Sequence, residues 1–458
     1  MGLTQILGSA LDGLNASSYG LSTTGQNITN VNTPGYARRD VELETRGQGL
    51  NGVNVAGLRR VSDTVIERRQ YQAMGLSSAA SERDSELAGL EAMFDDVSGT
   101  GLSDSLSAFY SSFSALASNP SDPTARANVL ARAEALTSRV SDTADGIASA
   151  RAELLTKAQQ TTAEVNRRAQ QIAELNQQIV SARAQGQDSS NLEDQRAKVL
   201  LGLAPLVDVT VLSQGNGSIM VQASGATLVD DVSARTLSVD LAPGGDLRLT
   251  SQTVGGSPTD VTRYLTGGKL AGIKEARDVD LAQVAKQLDD LAYGIQTTVN
   301  AQHAAGYGLD GVGGRMMFTT TASSVGAARA MSVSSDVAGN PNAIAASSSA
   351  TTLPGGSDNA VLLSRLAVQP AVGSRSAAQA YGDLVGDVGA RKANAADEVT
   401  LRESVTSQMT AMREAASGVS LDEEMVALSK YQRAYEASAK VISTIDQLLE
   451  ELLARLGR

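Results

Sequence analysis

The chain has 458 residues, a net charge of −12 and no cysteine. That length allows about two to four domains, the acidic balance argues against a nucleic-acid partner, which needs a basic footprint, and the lack of Cys excludes disulfides and cysteine-ligated metals. Hydrophobic residues make up 42% but aromatics only 3%, so a core is built from Ala, Leu, Val and Ile, which suits helix packing.

The start, MGLTQILGSALDG, lacks a basic n-region and carries Asp12, the wrong pattern for a cleaved signal peptide. No apolar run approaches the ~20 residues of a membrane span, so no membrane insertion is expected. Leu7, Leu14, Leu21 and Ile28 recur at steps of seven, with Leu3 one turn earlier. Such a repeat keeps one seam turned toward a partner helix. Two properties of this helix are unusual. Asp12 is the one charge before Arg38, and Gly8, Gly13, Gly20 and Gly25 interrupt the helix, each costing ~1 kcal/mol relative to Ala. A helix so handicapped is marginal in water. Uncharged, small residues on every face suit packing on several sides, so the segment is expected to order when other copies surround it. The competing reading is a poorly formed surface helix.

Pro34 disfavours helix at Thr33, so the helix stops near Asn30 to Asn32, with Asn suited to a left-handed position past its end. Thr33-Pro34-Gly35-Tyr36 has the residue order of a type II turn. Val41, Leu43 and Thr45 then alternate with acids as a half-buried strand does, Gly49 and Gly52 mark a turn, and Val53 and Val55 return. From Ser62 to about Leu200 the pattern is helical, interrupted at Asn119 to Pro123, where Asp122 is placed to cap and Pro123 to start a helix. Val165, Ile172 and Ile179 form a further heptad seam. Beyond Pro205 the period changes to two: Val207, Val209 and Val211, then Ile219 and Val221 after Gly215-Asn216-Gly217, then Leu237, Val239 and Leu241 before Leu247 and Leu249. Helix resumes over about 269–304, residues 306–358 read as loops with short strands, and helix returns from Asn359 to the end. There Leu421, Leu428, Tyr435, Ile442, Leu449 and Leu456 repeat at seven, seconded by Tyr431, Ile445 and Leu452. The two terminal seams span roughly 42 and 52 Å at 1.5 Å per residue and pair most simply with each other; an ordinary bundle whose ends meet is the other possibility.

Chemistry finds little support. His303 is the one histidine, and at the end of a helical stretch it reads as a polar cap. Gly306 to Gly311 matches GxGxxG but follows a helix, where the dinucleotide motif follows a strand. Asp422-Glu423-Glu424 reads as acids complementing a helix dipole rather than a metal cluster. No enzyme, cofactor or metal site is expected.

Ser22, Gly25, Asn27, Ile28, Asn30, Thr33, Pro34, Gly35 and Tyr36 resemble the N-terminal motif of bacterial flagellar axial proteins, the rod, hook and hook-associated family. Leu421 to Met425 and Tyr431 to Tyr435 resemble the family's C-terminal end. Three interior stretches resemble its hook-associated members at the hook–filament junction: Leu116 to Arg126, Gln170 to Val180 with Asp194-Gln195-Arg196, and Val299 to Gly311. The resemblance implies a non-enzymatic subunit, exported by the flagellar type III route without a cleaved signal to the extracellular flagellum. It would form a ring with copies of itself, between hook protein and the next junction protein toward the filament. Its terminal helices would pair as a coiled coil around the channel, and a cytosolic export chaperone would bind the C-terminal helix before assembly. A hook or distal-rod protein of the same family, a secreted enzyme carried on flagellar-type ends and a cytosolic coiled-coil protein are the rival readings.

The expected fold is mainly α with an inserted β region. Residues 1–61 plus 400–458 would form the terminal coiled coil with a small hairpin, 62–205 plus 265–305 plus 359–399 a helical middle, and 206–264 plus 306–358 an outer β and loop region.

Overall fold

The structure is a computed structural model that describes residues 2–46, 52–94, 101–253 and 255–456, with side chains to residue 454. The turn expected at Gly49 and the side chain of Leu456 lie outside the described residues.

Helix α1 (Leu3–Thr29) stops where the asparagines begin. Asn30 has φ −100°, so it is not the left-handed residue expected there. Its Nδ2 instead donates to the Gln26 carbonyl at 2.9 Å, covering an acceptor that the last turn would leave open. The left-handed position falls on Gly35, φ +85°, where the Tyr36 N–H donates to Thr33 at 3.1 Å and closes the type II turn. A Cβ at Gly35 would also lie 2.9 Å from the Lys198 backbone nitrogen, so both conformation and space require glycine. The chain then forms an antiparallel hairpin, β1 (Arg39–Thr45) with β2 (Val53–Arg60), carrying a bulge at Glu42/Leu43.

The helical body follows. Helix α2 (Thr64–Met93) starts at the cap Asp63, α3 spans Leu102–Ser118, and α4 (Pro123–Ala184) runs 62 residues from its cap Asp122, as expected from the residue order. Helix α5 is Ser190–Leu203, and α6 (Gly268–Glu275) and α7 (Leu281–Ala304) are joined by a π turn over Ala276–Asp280. After the short α8 (Ala327–Ala330) and α9 (Asp358–Arg365), α10 (Ala377–Ser417) runs back antiparallel to α2, and α11 (Leu421–Leu456) ends the described chain. The π turn turns Asp280 inward, where it is fully buried and accepts from Arg83 of α2 at 2.8 Å and Arg391 of α10 at 3.0 Å. A paired buried charge fixes register, because a shift of either helix would strand it. The four phenylalanines all sit in the core, and Phe109 meets Phe113 edge-on and Phe318 at a tilt.

The β region is two small antiparallel sheets. The first orders β3 (Val209–Ser213), β4 (Ile219–Ala223), β5 (Ala226–Asp230) and β6 (Ser233–Ala234); the second orders β7 (Thr236–Leu241), β8 (Leu247–Gln252) and β9 (Thr259–Asp260). Their alternating apolar residues face α4, so Val165, Ile172 and Ile179 of the heptad seam bury against sheet and α5 rather than against a parallel helix. Asn166 and Asn176 each grip a strand backbone, donating to and accepting from Leu237 and Ile219.

Two boundaries differ from expectation. Residues 306–358 do not join the β region; they pack on the other end of α4, where fully buried Arg126 donates to the Ile344 carbonyl at 2.8 Å. His303, fully buried, is no helix cap but a staple for this loop: Nδ1 bonds the Arg315 carbonyl at 2.8 Å and Nε2 accepts from the Ala345 N–H at 3.0 Å. That pairing fixes the tautomer with the proton on Nδ1, and burial pushes the His303 pKa down. The break expected at 400 falls inside α10, whose Thr406 and Thr410 still bond α2. The physical break is Gly418 to Ser420, between α10 and α11.

Candidate assembly interface

Helices α1 and α11 lie antiparallel along each other. Gly20 sits under the ring of Tyr431, where an added Cβ would come within 2.5 Å. Seven residues back on α1, Gly13 faces Ser438, and seven forward Asn27 meets Glu424. Each heptad step on α1 thus answers one on α11, the geometry of a coiled-coil seam. On α1 that seam consists of small and polar residues, Ala10, Gly13, Ser17, Gly20, Thr24 and Asn27, at alternating steps of three and four. Beside it Leu3, Leu7, Leu14, Leu21 and Ile28 are half-buried, and Leu7 to Ile28 lie one position round the helix from these small residues. Glycine wins the central place because it lets the two backbones approach and makes room for tyrosine. On α11 the expected residues divide. Ile445 is buried, Leu428, Tyr431, Ile442 and Leu449 are half-buried, and Leu421, Tyr435 and Leu452 are exposed.

The pair leaves much apolar surface in water. Val426 is 71% exposed, Leu453 70%, Tyr19 55%, Leu11 51% and Leu448 45%. Between the helices runs a shallow groove lined by Ile6, Ser9, Ala10, Ala437, Ser438 and Val441. The lone early charge, Asp12, is turned away from this face and pairs with Arg46 beside the hairpin at 3.0 Å.

At the foot of the pair, Asn27, Gly35, Tyr36 and Arg39 form a buried hub. Asn27 is 1% exposed and uses its amide fully. Its Oδ1 accepts from the Tyr36 hydroxyl at 2.7 Å and the Arg39 N–H at 3.1 Å, and its Nδ2 donates to the Arg39 carbonyl at 3.0 Å and Glu424 at 3.1 Å. Burial pushes the Tyr36 hydroxyl up to about 12, against the pull of Arg39, and burial also raises Glu424. The buried Arg39 guanidinium pairs with Asp194 and bonds Asn191 at 2.9 Å, both on α5, while Arg60 of β2 reaches Asp194 at 3.0 Å. Arg413 of α10 donates to the Tyr36 carbonyl at 2.7 Å, and Arg38 bonds both the Ser417 carbonyl and Glu423. Asn30, Thr33 and Pro34 stay at the surface end, where the Thr33 hydroxyl donates to Asn30 at 3.2 Å. Sequence reasoning missed Arg39, Arg60, Asp194, Arg413 and Glu424 as members of this hub. Only an isolated, uncompensated charge pattern around the motif could have signalled them. Among the described residues no cluster of His, Asp or Glu could hold a metal ion, and Glu424 serves Asn27 rather than a cluster with Asp422.

Comparison with known proteins bears on the whole chain. The family model described as the flagellar hook-associated protein FlgK helical domain matches residues 87–318, and that for the flagellar basal body rod FlgEFG protein C-terminal matches residues 413–456. Flagellar hook-associated protein 1 of Salmonella typhimurium is 26% identical, over 98% of this chain and all of the relative; that of Bacillus subtilis is 24% identical, over 97% and 96%. A solved structure of the flagellar hook junction protein FlgK from Burkholderia pseudomallei superposes with TM-score 0.68 at 17% identity, covering 76% of this chain and 99% of that one. The three interior stretches that carried the resemblance now have physical roles, since each supplies buried polar staples: Arg126, Asn176 with Arg196, and Asn300 with His303. The chain belongs to the flagellar hook-associated protein FlgK family and is a structural subunit of the bacterial flagellum.

Proposed function

We propose that the chain polymerises through α1 and α11, each pair packing against the pairs of neighbouring copies to form a ring, with hook protein on one side and the next junction protein toward the filament on the other. The observation that carries this is the uncovered apolar surface of the terminal pair, beside a groove lined by uncharged residues. Burying each of these side chains contributes about 1–2 kcal/mol, far more in sum than a two-helix pair with a glycine seam supplies alone. The body, by contrast, already has a continuous buried core that runs through α2, α3, α4, α7 and α10. The same surface suits a cytosolic chaperone that covers α11 before export, and export by the type III route needs a chain whose ends come apart readily. The role is non-enzymatic.

Full-length chain carrying Val426→Glu and Leu448→Glu tests this. Its central unfolding transition stays within ~0.5 kcal/mol of the parent, as for other exposed positions, but it fails to add to isolated hooks and leaves them without filaments. Normal addition by the doubly substituted chain would overturn the reading.

A further inference from the structure

A cavity of about 220 Å³ lies between the end of β2, the first turns of α2, α5 and the turn from β3 to β4, with Arg183 of α4 beside it. It takes no residue from α1 or α11. Four arginines line it, Arg60, Arg68, Arg183 and Arg196, against two acids, Glu67 and Glu193, in a chain whose net charge is −12. The acids are already taken, Glu67 by Arg60 at 3.3 Å and Glu193 by Arg183 at 2.7 Å. Arg68, half-buried, and Arg196, 9% exposed, pair with no carboxylate among the described residues. Arg196 spends Nη1 on two neutral acceptors, Asn176 Oδ1 at 2.8 Å and the Gly217 carbonyl at 3.0 Å, so its charge is held in place but not balanced. Burial pushes its pKa down to about 10, helped by the like charges of Arg60 and Arg183 and opposed by Glu193. Gly217, at φ +93°, makes room for Arg183, since a Cβ there would lie 2.6 Å from the Arg183 side chain. Tyr71 completes the wall. It is 4% exposed, and its hydroxyl has no hydrogen-bond partner among the described residues. Burial raises its pKa, so the hydroxyl keeps its proton and can donate it in a hydrogen bond.

We infer that this cavity is a binding site for a small free oxoanion of the phosphate class, received by the guanidinium groups of Arg68 and Arg196 and by the hydroxyl of Tyr71. A guanidinium presents paired N–H donors that match two oxygens of one anion, and Tyr71 adds a neutral donor. The volume is below the ~300 Å³ at which pockets for drug-sized ligands begin, which suits a compact anion with a few waters rather than a nucleotide. Arg60 and Arg183 strengthen the field while keeping their own carboxylates. The anion balances the two charges that the fold leaves over. It also ties α2 to α5 and to the β3–β4 turn, next to the last residue of β2, so an occupied site stiffens the joint between hairpin and body. The site belongs to the single chain and is built without the terminal helices, so it stands or falls apart from polymerisation.

Isothermal titration of the full-length chain with inorganic phosphate, at neutral pH and with chloride holding the ionic strength constant, tests this. A single saturable site per chain is expected, and phosphate should raise the urea midpoint of the body, because it binds the folded chain. Arg68→Gln weakens phosphate binding by about tenfold, as loss of a charged hydrogen-bond donor does, and Tyr71→Phe weakens it severalfold. Neither variant lowers the midpoint measured without phosphate, since neither side chain has a hydrogen bond to lose among the described residues. Arg69→Gln, at an exposed position outside the cavity, binds phosphate as the parent does. No saturable binding at millimolar phosphate, a Tyr71→Phe chain that binds like the parent, or equal weakening by Arg68→Gln and Arg69→Gln would each overturn the assignment.

Discussion

The helical body and the terminal pair are made of the same material, long helices rich in Ala and Leu, yet they end in opposite states. In the body the large side chains turn inward: Phe109, Phe113, Leu116, Leu136 and Ile172 are fully buried, and the buried charges Asp280 and Arg126 have partners. On α1 of the pair the small residues turn inward, meeting Tyr431 and Ser438 of α11, while Leu11, Tyr19, Val426, Leu448 and Leu453 stand in water. Two helices alone bury one stripe each, so a pair that spends that stripe on glycine and serine keeps its apolar area for something else. The lesson is that periodicity locates a partnered helix but not which of its stripes the first partner takes.

Three substitutions would break or sharpen this contrast. Phe109→Ala, in the closed region, is expected to cost about 3–5 kcal/mol of the main unfolding transition, as large cavities do; urea unfolding of the full chain followed by circular dichroism measures it. A loss under 1 kcal/mol would mean the body is looser than its packing indicates. Gly20→Val acts on the open region. Its side chain meets the Tyr431 ring, an overpacking worth about 1–3 kcal/mol, and the damage stays in the pair: α1 and α11 lose helicity while the main transition holds its midpoint. A shift of the main midpoint would show the two regions to be one cooperative unit.

The third concerns pH, and separates the regions by titration. Asp208, at the joint between α5 and the β region, accepts from Ser224 at 2.9 Å and Thr266 at 3.3 Å, and burial raises its pKa from 3.8 to about 6. A carboxyl with a raised folded pKa binds its proton more tightly when folded. Its contribution is therefore complete below pH ~4 and is lost as pH rises through about 6. Asp208→Asn should remove that dependence, raising the stability of the body at pH 7 relative to pH 4 by on the order of 1–2 kcal/mol. An unchanged difference would place the titrating group elsewhere.

Much of this was readable from residue order. The helix stop, the type II turn, the Asp122 cap with Pro123, and the two-residue period of the β region each follow from local backbone chemistry, and local chemistry survives folding. What was not readable depends on distance in the chain. Leu7, Leu14 and Leu21 outrank Gly13 and Gly20 by hydrophobicity, and only the tyrosine that α11 brings, 411 residues on from Gly20 to Tyr431, decides that glycine takes the seam. Glu424 resembles its neighbours Asp422 and Glu423 in sequence, but the register of α11 buries it alone against Asn27. His303 looked like a cap because it ends a helix; its two nitrogens are spoken for by a loop that the sequence marks only as Gly- and Ser-rich.

Central to this account is that the terminal pair is marginal in the free chain and completed by neighbouring copies. Amide hydrogen exchange tests it most directly, on the full-length monomer and on the same chain assembled at hook tips. Residues 3–29 and 421–454 should open with only about 1–2 kcal/mol in the monomer, near the low end of local stability, while α2, α4, α7 and α10 exchange far more slowly; on assembly the ends should gain protection to match. Ends as protected as α4 in the free monomer, or unchanged on assembly, would contradict it.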